Sequence, residues 1–271
     1  MDDKITYKVV KTIDQVPKKA WDAMVTDNPY MSWGWHKTVE ETCIVENDVY
    51  IIMAICNGQL YGGTVCSGAE MSRRIYNIDN VIFGRLKKVL NFFHISMMPS
   101  LTCSPLKGRG THLLVKDDIG KEDKNRVLTG LLEQVEQLAM SKKMAVAFVG
   151  LNEKQLDLRE KLSARGYSST LDHPISLLDI KWSSFDDYQR DTKTLSKTVR
   201  KNIRTQINRN NKADVVISET QCPEEFGDRL HRLLSMNSLK HNNLPFAFNR
   251  SFFEKLKKIW VTMPVFLSRK R

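Results

Sequence analysis

The chain has 271 residues, 41% hydrophobic and 27% charged, which excludes a disordered or fibrous polymer and leaves room for one large domain or two ordinary ones. Its five cysteines (Cys43, Cys56, Cys66, Cys103, Cys222) lack CxxC spacing and are odd in number, and its six histidines show no HExxH pattern. Neither a disulfide framework nor a metal site is therefore expected, and the compartment reads as reducing and cytoplasmic. The net charge of +11 is uneven: from Lys181 onward there are 19 Lys/Arg against 9 Asp/Glu, which points that region towards an anionic partner, or simply a solvated surface.

The opening MDDKITYKVV is mixed in charge and lacks the apolar core of a signal peptide. Tyr7 to Ile13 reads as a strand, Val16 to Val25 as a helix, and Asn28-Pro29 as a break before a second helix rich in Trp33 and Trp35. The runs VYIIMAIC and QLYGGTVC flank Asn57-Gly58, a dipeptide that accepts the positive φ angles of a type I′ turn, so an antiparallel hairpin is expected. Arg85 to Phe93 reads as a helix or as part of a loop over a pocket. The most lipid-like stretch, Leu90 to Leu101, is about half the length of a membrane span and reads as a buried segment.

MPSLTCSPL is expected to be a strand that leads into Lys107-Gly108-Arg109-Gly110. A long amphipathic helix follows, with Val127, Leu131, Leu132, Val135 and Leu138 on one face. MAVAFVG reads as a fully buried strand, Leu156 to Leu162 as a helix stopped at Gly166, and Tyr167 to Trp182 as extended chain. Phe185 to Asn210 reads as one helix with Leu195, Val199, Ile203 and Ile207 in a stripe. Strand Ala213 to Glu219, a helix opened by Pro223, helix Phe252 to Ile259 and strand Met263 to Leu267 complete the chain.

The two ends repeat an order: strand, helix, Pro-aromatic junction (Pro29-Tyr30; Pro245-Phe246), aromatic helix, strand. In the second copy the chain stops where the hairpin partner would begin. Such an edge needs cover from a further segment, from the first unit, or from self-association through the incomplete sheet; the first is favoured. The expected organisation is a complete domain over 1–181 and the N-terminal half of a second over 182–271.

This order, ending in LSARGY, resembles the GNAT acyltransferase fold, a mixed and mostly antiparallel α/β sheet flanked by helices. The helix run YQRDTKTLSKTVRKNIRTQINRN, with Leu195, Ser196, Arg200, Asn202, Ile203 and Arg204, resembles the start of the second domain in tandem-GNAT proteins. These are the Fem-type aminoacyltransferases of cell-wall synthesis and their BioF-like acetyltransferase relatives. The resemblance implies transfer of an acyl group from acyl-CoA, such as acetyl-CoA, to an amine acceptor. A cell-wall or envelope precursor is the candidate acceptor. Two alternatives stand beside it: a Fem-type transferase with aminoacyl-tRNA as donor, whose tRNA the basic last third would hold, and a non-catalytic anion-binding module that keeps the fold.

In the GNAT reading, Lys107, Gly108, Arg109 and Gly110 are the pyrophosphate candidates, although Thr111 to Gly120 separate that loop from the next helix. A glycine turn between strands explains the loop equally well. Arg200, Lys201 and Arg204 are candidates for a phosphate or carboxylate, against a solvated face as the bland reading. Tyr30, Trp33 and Trp35 are candidates for a substrate groove, against a core cluster. Glu40 or Glu41 is a candidate base that nothing singles out, and Cys103 reads as a buried thiol.

Overall fold

The computed structural model describes residues 4–26, 28–44, 48–69, 78–108, 110–151, 155–171, 178, 180–213, 216–220, 227–242, 246–259 and 266–270. Contacts divide the chain into two units, one of residues 1–172 with 226–262 and one of 173–225 with 263–271.

The first unit is built on an open sheet in the order β1-β2-β3-β4-β6, with β5 also on β3. Its strands are β1 (Thr6–Val10), β2 (Asp48–Cys56), β3 (Gln59–Ala69), β4 (Ser100–Cys103), β5 (Leu114–Val115) and β6 (Ala145–Phe148). All pairings are antiparallel except β4 with β6. This is the mixed, mostly antiparallel sheet expected from the sequence. The hairpin β2–β3 turns at Asn57 (φ 49°) and Gly58 (φ 74°), the left-handed pair that a type I′ turn requires.

Strand alternation sends β2 side chains into two cores. Ile51 and Met53 join Val10, Ile13, Trp21, Met31 and Val65 on the face covered by α1 (Lys18–Asp22) and α2 (Trp33–Thr42). Tyr50, Ile52 and Ala54 join Cys66, Leu101, Cys103, Val127, Leu131 and Val135 beneath α5 (Lys121–Lys142) on the other. Fully buried Trp21 donates its indole N–H to the Met31 carbonyl at 2.6 Å and lies against Gly63. A Cβ at Gly63 would sit 2.5 Å from the Trp21 ring and 3.0 Å from the Ile52 carbonyl oxygen. Gly63→Ala is therefore expected to cost about 1–3 kcal/mol, read as a lower urea midpoint at unchanged m-value.

Helix α6 (Leu156–Ala164) ends at Gly166 (φ 86°), as its sequence suggests, and buries Leu158 and Leu162 against Leu132. Strand β6 is only half-buried along its length, not fully buried as its apolar run suggests, because β4 is its one strand neighbour among the described residues. The helices α9 (Gly227–Asn242) and α10 (Phe252–Ile259) are counted with this first unit. Phe252 and Phe248 meet Trp35 edge-on, Lys255 pairs with Glu41 at 2.6 Å, and Cys43 forms an isolated bridge with Phe248.

The stretch Leu90 to Leu101 departs from expectation. Met98, Ser100 and Leu101 are buried, but Phe92 is 79% and Phe93 63% exposed. Helix α3 (Ile78–Phe83), a short 3-10 turn at Gly84–Leu86 and helix α4 (Lys87–Phe92) form an excursion from the sheet. The buried Asp79 carboxylate closes its base, accepting from Ser96 Oγ and the Met97 N–H, each at 2.7 Å.

In the second unit the single helix expected over Phe185 to Asn210 is two, α7 (Phe185–Arg190) and α8 (Lys197–Lys212). The break follows from local side-chain bonding that competes with the helix. Asp191 accepts from the backbone of Lys193 at 2.8 Å and from the Thr194 hydroxyl at 2.7 Å, and Ser196 caps α8 through the Val199 N–H. Leu195 consequently lies off the helix and buried, while Val199 is 42% exposed. Strands β7 (Val216–Thr220) and β8 (Phe266–Lys270) pair antiparallel, as β1 and β2 do in the first unit. The described part of Tyr167 to Trp182 forms no strand. Among the described residues no helix is long and apolar enough to cross a membrane.

Candidate functional site

In sheets with parallel strands, ligands settle beyond the strands' carboxyl ends, where the chain leaves the sheet. Here the only parallel pair among the described strands, β4 and β6, ends at Cys103 and Phe148, and each strand runs into a glycine-containing loop. The loop after β4 is pinned at its far side. Thr111 donates its hydroxyl to the Cys103 carbonyl at 2.6 Å, its N–H donates to the Val149 carbonyl at 2.7 Å, and the Val149 N–H returns to the Thr111 hydroxyl at 2.8 Å. Gly110 (φ 78°) and Gly150 (φ 64°) pass each other within this clasp, where a Cβ on Gly150 would be 3.0 Å from the Gly110 Cα.

The near side of the loop meets the aromatic helix. Trp35, buried, donates its indole N–H to the Leu106 carbonyl at 3.2 Å. Tyr30 packs edge-on to Trp35 with ring centroids 5.0 Å apart. Gly108 lies so close to it that a Cβ would be 2.7 Å from both Tyr30 Cβ and Pro105 Cγ. Phe248 and Phe252, stacked at 4.2 Å, continue the aromatic wall beyond Trp35.

Lys107 lies in the chain between Leu106, which meets Trp35, and Gly108, which meets Tyr30. Its backbone is left-handed (φ 56°), a conformation that costs energy for any residue with a Cβ. Its side chain is half-buried, and no carboxylate among the described residues lies within ion-pair distance of it. Desolvation pushes its pKa below the usual lysine range, an effect partly opposed by the nearby Cys43 thiol when ionised. A desolvated cation on a loop whose neighbouring residues abut Trp35 and Tyr30 suits an anionic group on a ligand: a carboxylate or a phosphate.

The sequence candidates thus separate. Tyr30, Trp35, Lys107 and Gly108 come together, whereas Arg109 lies outside the described residues. Gly110 belongs to the clasp at the far side. The loop does not feed a helix N-terminus: β5 intervenes, and α5 begins only at Lys121. Trp33 is elsewhere, with its indole N–H on the Ile13 carbonyl at 2.9 Å and Lys18 over its ring. Glu40 is held by the Ile13 N–H at 2.7 Å and Thr12 Oγ1 at 2.9 Å, and Glu41 pairs with Lys37 and Lys255, so both carboxylates serve packing. Cys103 is fully buried and bonded to Thr64 Oγ1 at 3.3 Å. Neither Cys43 nor the Phe248–Phe252 stack is singled out by sequence, although the aromatic run PFAF around Phe248 is the signal that could have found the latter.

Arg200, Lys201 and Arg204 lie in the second unit, on α8, whose sixteen residues carry six cations and no acid. Lys197, Lys201 and Arg204 are exposed, and Nη1 of Arg200 is shielded from solvent without a hydrogen-bond partner.

The FemAB-like family, described as peptidoglycan biosynthesis/recognition, matches residues 12–270. The chain belongs to this family. No curated protein matches it.

Proposed function

We propose that the chain is a Fem-type transferase that moves an aminoacyl group from aminoacyl-tRNA to an amine of a peptidoglycan precursor. Family membership across residues 12–270 is the observation that carries this reading. In such a step the amine nitrogen attacks the ester carbonyl, the new C–N bond forms, the ester C–O bond breaks, and the ribose hydroxyl of the tRNA leaves with a proton. Lys107 would hold a carboxylate or phosphate of the precursor against Tyr30 and Trp35, so that binding energy orients the amine. No residue is assigned as general base.

The tRNA backbone finds its counterpart in the acid-free helix α8. The antiparallel pairs β1–β2 and β7–β8, each separated by two helices along the chain, support reading 182–271 as the start of a second copy of the first fold.

Binding to aminoacyl-tRNA should weaken steeply with salt, and Lys201→Ala/Arg204→Ala should flatten the slope of log K against log [salt] by about 1.5, as two lost phosphate contacts require. A salt-independent association, or a slope unchanged in the double variant, would remove α8 from the tRNA site. Acyl-CoA is the second donor: acetyl-CoA at millimolar concentration is expected to leave Tm unchanged, because the Lys107–Gly110 loop opens onto β5 and not onto a helix. A clear rise in Tm would favour the acetyltransferase reading.

A further inference from the structure

The excursion Ile78–Met98 exposes what a folded protein ordinarily hides. Leu86 is 65%, Val89 55%, Phe92 79%, Phe93 63% and Ile95 49% exposed. Leu86, Val89 and Phe92 recur at intervals of three, and Phe93 follows Val89 by four, so one side of the α4 segment is a continuous apolar ridge. Phe92 and Phe93 meet edge-on at its tip, with ring centroids 5.3 Å apart.

The ridge is presented on a fixed base. Ile78 and Met98 are buried together with Ala69, and the Asp79 carboxylate binds Ser96 Oγ and the Met97 N–H. The two ends of the excursion are thus tied to the sheet while its middle faces solvent. Its charge is one-sided as well. Between residues 78 and 98 the cations are Arg85, Lys87 and Lys88, and the sole acid is the buried Asp79. Arg85 and Lys88 are exposed and, three residues apart, share one side next to the ridge.

We infer that the α3–α4 excursion docks the protein on an anionic lipid bilayer surface, with Phe92 and Phe93 entering the headgroup–acyl boundary and Arg85 and Lys88 resting on lipid phosphates. An aromatic apolar edge with cations beside it and free of exposed acid is the combination an anionic interface takes up. A protein partner would not require the acids to be absent, and a second copy would bring the same cations face to face. The inference does not rest on the proposed transfer reaction, because lipid binding is read without turnover.

The test uses the full chain and vesicles of phosphatidylcholine with or without phosphatidylglycerol. The chain should co-sediment with the phosphatidylglycerol-containing vesicles and only weakly with phosphatidylcholine alone. Phe92→Ser/Phe93→Ser should weaken the partition by about tenfold or more, and Arg85→Glu/Lys88→Glu by about tenfold with loss of the phosphatidylglycerol preference. Since these side chains are exposed, far-UV circular dichroism and Tm should not change. As an independent readout, Phe92→Trp should show blue-shifted emission on addition of anionic vesicles, beyond any change in the parent protein. The inference is overturned if the chain does not partition, if both double variants bind as the parent does, or if the emission of the Phe92→Trp variant moves no more than the parent's. It is equally overturned if the ridge drives a concentration-dependent dimer, abolished by Phe92→Ser/Phe93→Ser, without vesicle binding.

Discussion

Lys107→Met is expected to lower kcat/KM for transfer by about a hundredfold or more, the usual consequence of deleting a desolvated charge that binds an oppositely charged group. The same substitution should leave Tm unchanged or raise it. Methionine keeps most of the length of the lysine stem, so the half-buried stem can still be accommodated, and the left-handed backbone is the same in both proteins. What disappears is the cost of burying an ammonium group. Because the folded pKa of Lys107 is depressed, the charged form is disfavoured in the folded protein at neutral pH, and that penalty fades only as pH rises through the folded value and up to the ordinary lysine value. Affinity for the anionic ligand should accordingly fall off on the alkaline side at lower pH than with an exposed lysine. Unchanged kinetics in Lys107→Met would show that the residue is merely a strained loop lysine.

Acid should destabilise the protein through His36. This side chain of α2 is 3% exposed, meets Trp21 edge-on, and has its Nε2 buried without a partner. Burial lowers its pKa from 6.5 to about 4. With the folded value below the unfolded one, its contribution is complete above pH 6.5 and is lost as pH falls towards 4, an effect of about 3 kcal/mol across that window. His36→Phe keeps a ring against Trp21 and removes the titration. The variant should therefore lose about 3 kcal/mol less than the parent between pH 7 and pH 4, as measured by urea unfolding at each pH. Parallel pH dependences in the two proteins would contradict the burial of a neutral imidazole.

Local signals carry much of the fold. Asn57-Gly58 marks the central hairpin because only left-handed residues close it, and the Val127–Leu138 stripe marks α5 because its period is helical. The departures are places where hydropathy alone misleads. Leu90 to Leu101 is apolar and reads as buried. Asp79, more than ten residues away in sequence, closes the excursion at its base and leaves Phe92 and Phe93 outside. The helix expected over Phe185 to Asn210 breaks because Asp191, steadied by the Thr194 hydroxyl, and Ser196 satisfy backbone groups locally, which an apolar stripe cannot register.

The candidate site is half legible for a related reason. Tyr30, Trp35, Lys107 and Gly108 are each recognisable as residues of interest. Their meeting depends on the bond from the Trp35 indole to the Leu106 carbonyl, across 71 residues, and no local pattern encodes it. Trp33, two residues from Trp35, turns into the opposite environment because a helix sends i and i+2 in different directions. Cys43 becomes visible only once Phe248 returns to pair with it.

The most direct measurement is transfer of a radiolabelled amino acid from its tRNA to a peptidoglycan precursor carrying a free amine, with the full chain as enzyme and labelled acetyl-CoA as the parallel donor. Label is predicted to appear in the precursor from the tRNA ester, to require the chain, and to fall about a hundredfold or more in rate with Lys107→Met. Labelling from acetyl-CoA with none from aminoacyl-tRNA would contradict the proposal.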